Sequence, residues 1–251
     1  MRYIGITDFM NRSQAERMLL SFQWLCRFDC KLMIGVMMSY KTLNNIDTRW
    51  KIAFPRKEDI SDIFVEHPCA FNTLHYADYD GIDISKNLIE ATSWGLPSIN
   101  AIQLDMIWPN PKQIQEYHEM FPWLKKILQV NSKALEKVDN DPEKMLTRID
   151  EYESIDSILL DKSMGRGLGM DSNALRPFIE IITQKRPNLG IAVAGGLGPD
   201  TLHFVEPLIR EFPDLSIDAQ GKLRSSGNSL DPIDWSLAEI YIEKAVKLFK
   251  Q

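Results

Sequence analysis

The feature that most constrains this chain is an alternation. Short, β-rich apolar runs recur at 3–7, 32–38, 71–76, 98–104, 127–130, 157–160, 189–194 and 215–219. Most are followed by a longer stretch of helical period: 13–28, 85–94, 111–120, 141–152, 172–184, 200–211 and 232–249. In the first of these Ala15, Met18, Leu19, Phe22, Leu25 and Cys26 share one helical face, and Ser13 with Glu16 reads as a capping box. Strand-then-helix alternation implies parallel strands joined by right-handed crossovers. Eight such units in 251 residues, with no Ser/Gly-rich linker, match the count and size of one (β/α)8 barrel domain spanning 1–251. An open doubly wound sheet is the runner-up. Its glycine-rich dinucleotide turn is missing, because the first run leads into Thr7-Asp8-Phe9-Met10-Asn11. The segment around 41–70 is longer than a connection requires and is expected to carry a lid or a partner surface.

Composition narrows the partners. Lys and Arg total 29 against 35 for Asp and Glu, a net charge of −6, which argues against a nucleic-acid partner. No apolar stretch reaches the roughly 18 residues that span a bilayer, and the first residues lack the features of a signal peptide. Cys26, Cys30 and Cys69 are too few and too oddly spaced for a disulfide framework, which fits a reducing compartment. A cytoplasmic protein with no membrane partner is expected, and a homodimer is left open. His67, His75, His118 and His203 lack metal-ligand spacing, so neither metal nor cofactor is expected. Trp50, Trp94, Trp108, Trp123 and Trp235 read as packing residues or interface anchors.

In such a barrel the active site lies at the C-terminal strand ends, with phosphate held after strands seven and eight. Strand seven ends in Ala194-Gly195-Gly196-Leu197-Gly198-Pro199-Asp200, where glycines let backbone N–H groups approach an anion. After strand eight, Gly221 allows the same approach, Ser225 and Ser226 offer hydroxyls, and Lys222 and Arg224 offer charge. Strand six ends in Asp161, below the glycine loop of Gly165, Arg166 and Gly167. A carboxylate so placed suits a general acid or base whose pKa is raised by burial. Asp8, Ser39, Lys41, Asp78, Asp80, Gln103 and Asp105 close the other strands and read first as loop or supporting groups.

These strand ends resemble the phosphoribosylanthranilate isomerase family of tryptophan biosynthesis. The segment 194–200 is similar to that family's A-G-G-L-N-P-E-N. Gly165-x-Gly167-x-x-x-Asp171 is similar to its G-T-G-x-x-x-D, preceded by Leu159-Leu160-Asp161. Gly221-x-x-x-Ser225-x-Gly227 with Asp231-Pro232, Ile102-Gln103-Leu104 and Gly5-Ile6-Thr7 resemble further family stretches. The resemblance implies an Amadori-type aldose–ketose isomerisation of an N-phosphoribosyl substrate, a phosphorylated, sugar-like small molecule. It puts Asp161 at the general acid, Gly195, Gly196, Gly221, Ser225 and Ser226 around the phosphate, and Gly165, Arg166 and Gly167 in a substrate loop. The family's base cysteine corresponds to Ile4, which moves no proton, so Asp8 or Asp105 becomes the expected replacement. Ser39-Tyr40-Lys41 stands for the family's S-P-R, and Asp218 falls one residue out of step with its strand-eight aspartate. The alternative is a catalytically silent barrel that binds a phosphorylated ligand or a protein partner. A third reading, a lyase using Lys41 as a Schiff-base amine, is weakest because little depresses that amine's pKa.

Overall fold

The computed structural model describes residues 1–22, 30–50, 52–161, 170–228 and 230–250. Eight parallel strands close on themselves in sequence order: β1 (Arg2–Thr7), β2 (Cys30–Ser39), β3 (Ala70–Ala77), β4 (Ala101–Asp105), β5 (Lys125–Asn131), β6 (Ser157–Asp161), β7 (Gly190–Ala194) and β8 (Ser216–Ala219). The closing pair sets Ile4 against Ile217 and Gly5 against Asp218. This is a (β/α)8 barrel.

Around it run α1 (Arg12–Phe22), α2 (Tyr40–Leu43), α3 (Ile60–Ile63), α4 (Ile84–Ser93), α5 (Pro111–Met120), α6 (Ser132–Glu136), α7 (Pro142–Ile149), α8 (Ser172–Lys185), α9 (Glu206–Glu211) and α10 (Trp235–Phe249). Side chains alternate across each strand, so every strand serves two cores. Ile4, Ile6, Leu32, Ile34, Leu128, Leu160 and Ile217 face outward and pack under the helices in the larger core. Tyr3, Met33, Phe71, Ala101, Ile127, Leu159 and Ala192 face inward and plug the barrel. Above that plug the same inward parity turns polar, with Thr7, Thr73, His75, Gln103, Gln129, Asn131, Asp161 and Asp218 all buried. The polar layer sits at the strands' C-terminal ends.

Several local expectations are corrected. The cap of α1 is Asn11 rather than Ser13: Gln14 N–H donates to Asn11 Oδ1 (3.1 Å), and Asn11 N–H donates back to Gln14 Oε1 (3.2 Å). Ser13 Oγ donates to the same Asn11 oxygen (2.7 Å). The expected end of that helix lies outside the described residues. The expected helix 200–211 divides into a 3-10 turn at Leu202–Phe204 and α9, because Pro207 lacks an N–H and suits only a first helical turn. Cys69 is disulfide-bonded, which departs from the reducing-compartment expectation. Among the described residues no helix is long and apolar enough to cross a membrane.

Candidate active site

A cavity of about 530 Å³ opens at the C-terminal mouth. Its floor is the inward polar layer. Its walls come from the β7 and β8 loops on one side and from the β2–β3 segment on the other, through Lys41, Thr48, Arg49, Trp50, Ala53 and Phe54. The long segment therefore forms a wall of the cavity, and Trp50 lines it rather than packing in a core.

Asp218, near the end of β8, lies on that floor. Cross-strand register runs Asp161, Ala194, Asp218, Gly5, so the two carboxylates are separated by one alanine strand, about 10 Å from backbone to backbone. Small neighbours make the room. A Cβ on Gly5 would fall 2.6 Å from Asp218 Oδ1, so only glycine leaves that carboxylate its place. Thr7 Oγ1 donates to both Asp218 oxygens (3.1 and 3.3 Å). Burial, with the nearby charges of Asp161 and Asp8, prevails over Thr7 and His75 and raises the Asp218 carboxyl to about 7.

His75, near the end of β3, faces this group from across the floor. Gln103 Nε2 lies 3.0 Å from its Nδ1, and Asp105 Oδ2 lies 3.5 Å from its Nε2. Burial lowers the affinity of His75 for a proton, but Asp105, Asp218 and Asp8 outweigh it and the net direction is upward. Asp105 moves the other way. Burial pushes it up, yet His75, the Tyr79 hydroxyl (2.6 Å) and Asn131 (3.4 Å) hold it below the ordinary carboxylate value. Asp161 closes β6, lines the cavity and accepts from Gln129 Nε2 at 3.5 Å.

Asp8 stands apart. It has a left-handed backbone (φ 91°), pairs with the Arg224 guanidinium, accepts from Gln220 Nε2 (2.8 Å) and does not line the cavity. Burial raises its pKa despite Arg224 and Gln220. Ile4, the position matched to a base cysteine, is wholly buried in the outer core, so its parity points away from the mouth.

Two glycine turns meet at the rim. Gly195 and Gly196 have φ of 104° and 69°, a conformation that L side chains rarely adopt, and both line the cavity with Gly221. A Cβ on Gly198 would fall 2.7 Å from Lys222 Cβ, so the β7 and β8 loops touch. Ser225 and Ser226 do not line the cavity. Arg224 is drawn inward to Asp8, whereas both serines are exposed, and Ser226 Oγ accepts from the Asn228 N–H. Gly165, Arg166 and Gly167 lie outside the described residues. Among the described residues no cluster of His, Cys, Asp and Glu could hold a metal ion.

Sequence reasoning passed over His75 and set Asp218 aside. The cue was an alternation of polar residues at the ends of successive strands: Thr73 and His75, Gln103 and Asp105, Gln129 and Asn131.

No family model and no curated protein matches the chain. Solved structures do. N-(5′-phosphoribosyl)anthranilate isomerase from Pyrococcus furiosus is similar over 98% of both chains, with a TM-score of 0.59 and 15% identity. The catalytic domain of a hyperthermophilic chitinase from the same organism is similar over 99% of this chain and 96% of its own, with a TM-score of 0.56 and 9% identity. Spore coat polysaccharide biosynthesis protein E from Chromobacterium violaceum is similar over 97% and 74%, at 0.53 and 10%. These likenesses establish the class, a barrel shared by enzymes of different chemistries, and leave function to the site.

Proposed function

We propose that the chain is an isomerase of phosphorylated, sugar-like substrates, carrying out an aldose–ketose rearrangement of the phosphoribosylanthranilate isomerase type. The observation that carries this reading is a pair of buried carboxyls, Asp161 and Asp218, with one strand between them on the floor of the mouth and Asp218 poised near 7. Asp161 protonates the ring oxygen as the C1′–O bond breaks and the amine nitrogen supplies its electron pair to C1′. Asp218, as carboxylate, then takes the C2′ proton, and the resulting enolamine tautomerises to the ketone. Asp218 replaces Asp8 and Asp105 as the preferred base. Asp8 is engaged with Arg224 and does not line the cavity, and Asp105 is held too weakly basic by His75 and Tyr79. The phosphate would rest on backbone N–H groups of Gly195, Gly196 and Gly221, with Lys222 and Arg224 nearby.

The test is to incubate the protein with phosphoribosylanthranilate and follow loss of its fluorescence. Turnover that falls at least about 100-fold in both Asp161→Asn and Asp218→Asn supports the reading. Phosphate-ligand binding with no turnover in the wild type replaces it with the silent, ligand-binding barrel.

A further inference from the structure

Between His75 and Asp161 the floor carries two buried amides in a row. Gln129 Nε2 lies 3.5 Å from Asp161 Oδ2, Gln103 Nε2 lies 2.8 Å from Gln129 Oε1, and the same Gln103 nitrogen lies 3.0 Å from His75 Nδ1. Gln103 is 1% exposed and Gln129 6%, so little of either amide is open to water.

A carboxamide donates from one end and accepts at the other, which gives the chain two self-consistent directions. In the first, Gln129 donates to an ionised Asp161. Both Gln103 hydrogens then go to the Gln129 oxygen and to His75 Nδ1, and His75 is the neutral Nε2–H tautomer. Turning both amides over reverses every link. His75 Nδ1–H and Gln129 then donate to the Gln103 oxygen, and the Gln129 oxygen faces Asp161, which must carry a proton to donate. Turning only one amide sets two oxygens or two NH2 groups face to face. Among the described residues nothing on the other side fixes Gln103, because its second amide atom, Oε1, has no hydrogen-bond partner there.

We propose that Gln103 and Gln129 are positioning residues that couple the protonation of His75 to that of Asp161, so that a charged His75 goes with a protonated Asp161. Among the described residues, the charged and titratable groups that act on this pair are Asp105, Asp218 and Asp8 around His75, and Asp218 and Tyr79 near Asp161; Tyr40, Lys41, Arg49, Asp78, Asp80, Lys133, Lys222 and Arg224 also line the cavity. Through space, an ionised Asp161 favours a charged His75. The amide chain opposes that, since an ionised Asp161 fixes the direction in which His75 accepts. The two contributions have opposite signs and can be separated. The catalytic meaning, a protonated Asp161 ready as general acid, rests on the isomerase reading, whereas the coupling does not.

The experiment uses the full chain labelled with 15N-histidine, the His75 resonances being assigned against His75→Gln. The His75 pKa is measured in wild type, Asp161→Asn, Gln129→Met and the double variant. The change caused by Asp161→Asn is expected to be more positive, by about one pH unit, with Gln129 present than in the Gln129→Met background. Neutral wild-type His75 is expected to carry its hydrogen on Nε2. Equal changes in both backgrounds, or a neutral His75 with its hydrogen on Nδ1, would overturn the proposal. Gln103→Met cuts the same chain one link nearer His75 and carries the same expectation if Gln129→Met does not fold. Turnover is not read at any stage, so this result stands or falls separately from the isomerase assay.

Discussion

Asp8→Asn changes one charge and little else. Asparagine keeps the shape, tolerates the left-handed backbone of Asp8 (φ 91°) better than most residues, and leaves an oxygen for the Gln220 amide (2.8 Å). What it removes is the partner of Arg224, whose side chain is 2% exposed. The guanidinium keeps two neutral acceptors, the carbonyl oxygens of Asp231 (2.6 Å) and Gln220 (2.8 Å), but no counter-charge. Arginine cannot escape by losing its proton as a buried carboxyl can gain one. Breaking a buried pair in this way costs about 3–5 kcal/mol. For a chain of this size each kcal/mol lowers the melting temperature by about 2–4 °C, so a fall of roughly 6–20 °C is expected in a thermal melt near neutral pH. The double variant Asp8→Asn/Arg224→Met should recover part of the loss, because it leaves no orphan charge. A single variant within about 1 kcal/mol of wild type would show that the pair does not hold the β1 and β8 loops as described.

Three further outcomes follow from the same geometry. Gly5→Ala forces a Cβ to within 2.6 Å of Asp218 Oδ1 and 2.8 Å of Met33 Cε, so urea denaturation should show a loss of about 1–3 kcal/mol, with turnover falling as the carboxylate is displaced. Asp218 makes stability depend on pH. Its folded value of about 7 lies above the ordinary 3.8, so its contribution is full below about 4 and is lost as pH rises to about 7. At about 1.4 kcal/mol per pH unit that interval is worth up to roughly 4 kcal/mol, and denaturation midpoints of Asp218→Asn should show a correspondingly flatter profile across it. Inorganic phosphate should raise the melting temperature of the wild type but not of Gly195→Ala, whose backbone φ of 104° an alanine rarely adopts. Equal stabilisation of both proteins would remove Gly195 from the anion site.

The barrel was legible because its strands are buried on both faces and so read as apolar runs, while the helices keep their own period. Those two periods were enough to count eight units. The short helices α2, α3 and α6 span only four or five residues each, too few for a helical period to show. Parity was the harder matter. Aligning Gly5-Ile6-Thr7 by letters put the missing base at Ile4, but a one-residue step along a strand exchanges the barrel interior for the outer core. Read by parity, Gly5 faces inward and Asp218, its partner across the closing pair, occupies the space it leaves. The same alternation would have joined His75, Gln103 and Gln129 into one floor. The attachment of Asp8 to Arg224, 216 residues along the chain, depends on barrel closure and no local pattern announces it.

The pH profile of kcat/KM for phosphoribosylanthranilate, compared in wild type and Asp218→Asn, bears most directly on the proposed acid–base pair. A base must be ionised, so the wild-type rate should rise with pH through an apparent pKa near 7. In Asp218→Asn that limb should vanish, with the maximum rate reduced at least about 100-fold. A limb that persists in Asp218→Asn, or a wild-type rate that stays flat between about pH 6 and 8, would contradict the assignment of Asp218 as the base.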